Sequence, residues 1–178
     1  MEMKSIIQRN TTFQGDRKIG FDANTLVAII DNPKLNSSKI DYMFEDKDIF
    51  YIHKEVYNET VRVLKRPRFN YYYSKKKVDK FLKRRNIKPL KEIIPNFFLK
   101  TLKQKCKENK VSFHSPDINI VADYKVHGIN KIYSGDDEFL QICRVAGIDS
   151  ENFLKLGKKL DKKSKDHINR FFQRSYHK

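Results

Sequence analysis

The chain is 178 residues long, 39% apolar and 34% charged, with a formal net charge of +16. That length buries a core without staples, and the composition excludes a wholly disordered chain. No run of eighteen apolar residues exists, the opening "MEMKSIIQRNTTFQGDRK" lacks the apolar centre of a secretion signal, and Cys106 and Cys143 fit neither a disulfide framework nor a metal finger. The expectation is a cytoplasmic, reducing location and a polyanionic partner.

Residues 1–17 read as a polar lead-in. The apolar run Ile19 to Phe21 predicts a short buried strand over residues 18–22. Asn24 offers a helix cap, and "TLVAII" starts a short helix that stops near "DNPK". Ser37 or Ser38 could cap a second short helix through Phe44. "DIFYIHK", residues 48–54, has the alternation and aromatic content of a second strand. In "EVYNETVRVL" the positions Val56, Tyr57, Thr60, Val61 and Leu64 recur at helical spacing, and Pro67 ends the helix.

Residues 65–92 change character, becoming dense in lysine, arginine and aromatics. Ser74 could cap a helix there with Val78, Phe81 and Leu82 inside. A further helix over residues 93–108 places Ile94, Phe98, Leu102 and Cys106 on one face. "VSFH" reads as a weak strand or a loop. Ser115 as cap, Pro116 as first helical residue and Gly128 as stop mark a strong helix. "NKIYSG" is a third clear strand, "DDEFLQICRVAG" another helix, and residues 148–178 a basic tail. Alternating strands and helices predict a three-layer α/β fold with a mostly parallel central sheet.

In open parallel sheets, ligands bind outside the carboxyl ends of the strands. Asp22 ends one strand and Asp136 ends another in the same sense. Asp117 opens the helix before that second strand, and Glu59 lies one turn into the helix after "DIFYIHK". If those strands are neighbours, four acids converge from four elements. Convergent carboxylates repel and lose solvation, and a divalent cation offsets both. Oxygen-only ligands favour Mg²⁺ or Mn²⁺. Such an ion suits phosphodiester hydrolysis.

The stretches "IGFDANTLVAII", "FYIHKEVYNETVRVL" and "PDINIVADYKVHGINKIYSGDDEFLQICRVAG" together resemble the motifs of PIN-domain nucleases. The resemblance covers residues 18–64 and 111–148, and these would form the motif-bearing core of a single PIN-like domain spanning 1–178. It implies a metal-dependent endoribonuclease with catalytic acids Asp22, Glu59, Asp117 and Asp136. Of these, Asp22, Asp117 and Asp136 would hold Mg²⁺ or Mn²⁺. Asn24, Thr25, Ser134 and Glu138 would support them. It also implies RNA as substrate, with DNA as an alternative, and a homodimer or an antitoxin protein as partner. Residues 65–110 are longer and more basic than in the compact, toxin-like members and read as a basic helical insertion, with 149–178 as a basic C-terminal tail.

Each residue also has a plainer explanation. Asp22 and Asn24 suit a strand-to-helix turn, Asp117 suits the first turn of any helix, and Asp136 suits a turn beside Gly135. Glu55, one helical turn before Glu59, could reach the same edge; the offset from the strand favours Glu59. Asp123 lies six residues past Asp117, about 120° round the helix from it, and reads as a solvated or paired surface acid. Asp137 and Glu138 could serve the metal's outer shell or cap the next helix. His53, His114, His127 and His167 form no cluster.

Between Arg62 and Lys110 there are eighteen Lys or Arg against three Asp or Glu. Charged faces are ordinarily just solvated. Here Phe69, Tyr71, Tyr72, Tyr73 and Phe81 are interleaved, and bases stack on such rings while cations follow the phosphates. Some of them must be core, Phe81 and at least one tyrosine being the expectation. Arg66, Arg68, Tyr72, Lys75, Lys76, Lys77, Arg84 and Arg85 are the expected nucleic-acid contacts. A catalytically weak nucleic-acid-binding protein on the same scaffold is the non-enzymatic alternative.

Overall fold

A computed structural model of the chain describes residues 16–44, 47–65, 71–91 and 96–156. The strands are short, each of three or four residues. β1 (Lys18–Phe21), β2 (Ile49–Ile52) and β4 (Lys131–Ser134) each carry the expected buried apolar residues. Two more strands complete the sheet, β3 (Ile87–Pro89) and β5 (Asp149–Asn152). The order is β3-β2-β1-β4-β5, and all four neighbouring pairs are parallel.

Among the described residues, the helices between the strands are α1 (Ala23–Asp31), α2 (Ser37–Met43), α3 (Lys54–Leu64), α4 (Tyr71–Arg84), α5 (Asn96–Glu108), α6 (Ser115–Val126) and α7 (Asp137–Val145). Parallel neighbours need right-handed crossovers. The chain therefore winds outward from β1 to β3 over one face, then returns to β4 and β5 over the other. Helices α1, α3 and α4 touch one another, as do α5, α6 and α7. This is the three-layer α/β architecture expected, with a wholly parallel sheet. Among the described residues, no helix is long and apolar enough to cross a membrane.

The winding reverses at β1, so the carboxyl ends of β1 and β4 flank a topological switch point, where open α/β sheets form crevices. The core beneath it is aromatic. Phe21 stacks against Phe44, Phe50 and Tyr133 at centroid distances of 5.4, 6.0 and 6.3 Å. At the other end of the strands Arg17 donates from Nε and Nη2 to the two carboxylate oxygens of Asp48, at 2.9 and 2.8 Å, clamping the entries of β1 and β2.

Several local expectations are corrected. Asp22, not Asn24, caps α1. Asn36 occupies the cap position of α2, with Ser37 already helical. Ser74 is a buried residue inside α4, not its cap. His114 precedes α6, so Ser115 opens that helix and Pro116 is its second residue. "VSFH" is loop. The basic stretch supplies the edge strand β3 as well as helices, and the tail begins with β5. Arg66, Arg68, Phe69, Pro67, Ile94, His167 and the tail beyond residue 156 lie outside the described residues.

Candidate active site

Asp22 is the residue at which β1 becomes α1. Its backbone N–H still belongs to the sheet, donating to the Tyr133 carbonyl at 3.1 Å, while its Oδ1 accepts from the Ala23 N–H at 2.7 Å. Its other oxygen, Oδ2, accepts from the Ser134 hydroxyl of β4 at 2.8 Å. Ser134 Oγ in turn accepts from the Asp136 N–H at 2.9 Å. The ends of β1 and β4 are thus stitched together by one hydroxyl, which places Asp22 and Asp136 on the same edge. Asp136 caps α7, its Oδ1 accepting from the N–H groups of Glu138 and Phe139 at 2.8 and 3.3 Å. For both acids the cap fixes the carboxylate rotamer at the strand edge.

Electrostatics connects the remaining acids. Burial raises the Asp22 carboxyl to about 6, opposed by the hydrogen bonds from Ser134 and Ala23 and assisted by the charges of Glu59 and Asp117. The Asp117 carboxyl, in the first turn of α6, is also raised. Burial is the main cause, Asp136, Glu59 and Glu138 push the same way, and His114 pulls it back. Asp117 is thus the acid on which the charges of Glu59, Asp136 and Glu138 converge, and Asp22 feels Glu59 and Asp117. Glu59 is the α3 acid that acts on both Asp22 and Asp117. The Glu55 N–H is turned to His53 Nδ1 at 3.1 Å.

The supporting residues divide differently from expectation. Ser134 does the bridging. The Thr25 hydroxyl donates to the Tyr133 carbonyl at 3.2 Å, holding α1 to β4 rather than touching a carboxylate. Asn24 is exposed beside Gly135. Asp137 turns away to Asn152 Nδ2 at 2.8 Å and Lys155 Nζ at 3.3 Å.

An all-carboxylate donor set suits a hard divalent cation. Among the described residues, no three acidic, histidine or cysteine side chains stand close enough to ligate one ion jointly. Both Asp22 oxygens are also occupied by protein donors.

Sequence reasoning missed the polar centre behind the acids. Asp123 is completely buried, not a surface acid, and two histidines read as scattered meet on it. His53 Nε2 lies 3.2 Å from Asp123 Oδ2, and His127 Nδ1 lies 3.3 Å from Asp123 Oδ1. Next to it, the Tyr124 hydroxyl donates to the Phe21 carbonyl at 2.8 Å and accepts from the His53 N–H at 3.3 Å.

On α4, Tyr71, Tyr72 and Tyr73 are all exposed, so no tyrosine of that run is core, while Phe81 packs partly against the core. Tyr72, Lys75, Lys76, Lys80 and Lys83 line one shallow groove around Asp79. Lys75 pairs with Asp79 at 2.7 Å, Lys77 lies 3.5 Å from Asp31, and the Arg85 guanidinium sits over the Phe44 ring at 5.0 Å. Lys76 and Arg84 are exposed.

No protein-family model matches the chain, and no curated protein matches it in sequence. Solved structures do match its fold. VapBC2 from Rickettsia felis, bound to a DNA fragment from their promoter, superposes with a TM-score of 0.61 at 13% identity, covering 76% of this chain and 98% of that one. VapBC-1 from nontypeable Haemophilus influenzae gives 0.57 at 13%, covering 78% and 99%. FitAcB from Neisseria gonorrhoeae gives 0.54 at 16%, covering 76% and 98%. At such identities the likeness is one of fold, and the fold is PIN-like.

Proposed function

We propose that the protein is a metal-dependent endoribonuclease. The observation that carries this reading is the convergence at the β1–β4 switch point, where one serine stitches Asp22 to Asp136 and the Asp22 carboxyl is raised to about 6 in company with Glu59 and Asp117. Grouping carboxylates this way costs stability in the isolated chain, and a cation is what removes the cost. Asp22, Asp117 and Asp136 would hold Mg²⁺ or Mn²⁺, directly or through water. Bound there, the ion supplies a polarised phosphate oxygen and a water of lowered pKa. Glu59, exposed on α3, would accept a hydrogen bond from the attacking water and orient it. Ser134 fixes the Asp22 rotamer. The basic groove of α4 holds the substrate's phosphates, and Tyr72 offers a ring for a base.

The test is cleavage of labelled RNA and DNA side by side, with Mn²⁺, Mg²⁺ or EDTA, by the wild type and by Asp22→Ala and Asp136→Ala. RNA cut only with metal, and by neither variant, supports the proposal. Undiminished turnover by both variants overturns it.

The toxin half of a toxin–antitoxin pair is the second reading within the same chemistry. Its support is the shared fold with VapBC2, VapBC-1 and FitAcB. The partner would be an antitoxin protein, and PIN-like resemblance also suggests a homodimer. Growth arrest on expression, relieved by a neighbouring small gene, separates this from a processing nuclease.

A further inference from the structure

Asp123 and His53 are nearly sealed from solvent, with residue exposures of 0% and 3%. A buried carboxylate–imidazole pair is a poor way to gain stability, since apolar side chains of similar volume commonly do as well or better. Its place in the fold suggests another use. His53 is the cap of α3: its Nδ1 accepts the Glu55 N–H at 3.1 Å, which leaves the ring proton on Nε2, facing Asp123 Oδ2 at 3.2 Å. Asp123 belongs to α6. The helix carrying Glu59 and the helix carrying Asp117 are therefore tied through one ring.

Tyr124 adds the third element. Its hydroxyl joins the Phe21 carbonyl, one residue before Asp22, to the His53 N–H, one residue before α3. Its ring lies so close under β1 that a Cβ on Gly20 would stand 3.0 Å from it. Hydroxyl and ring together leave β1 little freedom to shift relative to α6.

Resting on the nuclease reading above, we infer that His53, Asp123 and Tyr124 form a brace that fixes the elements bearing Asp22, Glu59 and Asp117 relative to one another, and that binding of a divalent cation by those acids depends on it. These are positioning residues: they touch neither ion nor substrate. Outer partners that orient ligands typically change metal affinity or activity by about 10–100-fold when removed.

The experiment measures Mn²⁺ binding to the full chain by calorimetry without substrate, together with Tm, and kcat and KM on RNA. The variants are His53→Asn, which keeps an acceptor for the Glu55 N–H but cannot reach Asp123, Asp123→Asn, and Tyr124→Phe, which keeps the ring. Leu102→Ala, a buried truncation in α5, serves as the stability control. The brace predicts that His53→Asn and Asp123→Asn weaken Mn²⁺ binding and lower kcat by about tenfold or more, with KM within threefold. Tyr124→Phe shifts both the same way by about threefold, and Leu102→Ala lowers Tm while leaving Mn²⁺ affinity unchanged. Should the first two variants fail to fold, Tyr124→Phe decides alone. Mn²⁺ affinity within experimental error of wild type in the folded variants overturns the brace, as does an equal loss in Leu102→Ala. Wild-type protein whose Mn²⁺ binding is insensitive to Asp22→Ala overturns the nuclease site itself, a different outcome.

Discussion

The Ser134 hydroxyl donates to Asp22 Oδ2 at 2.8 Å while accepting from the Asp136 N–H at 2.9 Å. One buried oxygen thus serves both acids of the strand edge. Ser134→Ala removes a donor to a buried carboxylate and an acceptor for a backbone N–H, without altering the packing volume much. The expected loss is about 1–3 kcal/mol in chemical denaturation. The Asp22 carboxyl should rise further, since the Ser134 hydrogen bond is the strongest influence lowering it. Cleavage should fall with KM little changed. Denaturation midpoints equal to those of wild type would show the bridge to be idle.

Asp22 gives a pH dependence of definite sign. Its carboxyl goes from an ordinary 3.8 to about 6 in the fold. Between those values the native state binds more protons than the unfolded chain, so stability falls as pH rises through that window. The full difference is about 3 kcal/mol. Asp22→Asn keeps an acceptor for the Ala23 N–H and abolishes the charge. It should therefore be more stable than wild type near pH 7 and lose the advantage below pH 4. Added Mn²⁺ should raise the Tm of wild type and leave the variant's unchanged. Thermal melts from pH 3.5 to 7.5, with and without Mn²⁺, check both signs.

The acids were legible because strand ends and helix starts are local. An apolar run stopping at Asp22, and another stopping before Asp136, fix both positions once the strands are parallel neighbours. The edge strands were not legible. β5 is "DSEN", with no apolar residue, and β3 is three residues ending in Pro89. Both owe their conformation to the strand already beside them. Asp123 was misread for a tertiary reason. It does point away from Asp117, as helix geometry requires, but α6 packs against α3, α5 and α7. Ile118, Ile120, Val121, Ala122, Asp123 and Tyr124 are all buried, so turning away from the site means turning into the core. Its partner His53 is seventy positions earlier, beyond any local pattern.

Gly20 is in extended backbone and its value is spatial. A Cβ there would stand 3.0–3.2 Å from three Tyr124 ring atoms, and the hydroxyl pins that ring at both sides. Gly20→Ala should cost about 1–3 kcal/mol, the usual range for overpacking a full core. In the Gly20→Ala, Tyr124→Leu double variant the smaller side chain makes room. The two losses should be less than additive by about 1 kcal/mol, because the residues are in contact. Strict additivity in urea denaturation would mean that the ring is not the obstacle.

On α4 the lysines are unequal, and this separates local from general electrostatics. Lys75 is already paired with Asp79, whose carboxylate also accepts from the Tyr57 hydroxyl at 2.8 Å. Lys76 and Lys80 are exposed along the same groove, beside Tyr72 at 73% exposure. Each phosphate contact contributes roughly 0.7–0.9 to the slope of log affinity against log salt. Lys76→Ala and Lys80→Ala should each weaken RNA binding and flatten that slope by about that much, while Lys75→Ala changes it less. Tyr72→Ala should weaken binding by about 1–3 kcal/mol for single strands with no change in salt slope, because stacking releases no counterions. Binding measured on the Asp22→Ala protein, so that no substrate is consumed, distinguishes these outcomes. Equal slopes for Lys75→Ala and Lys76→Ala would show a diffuse positive field in place of a groove that follows the strand.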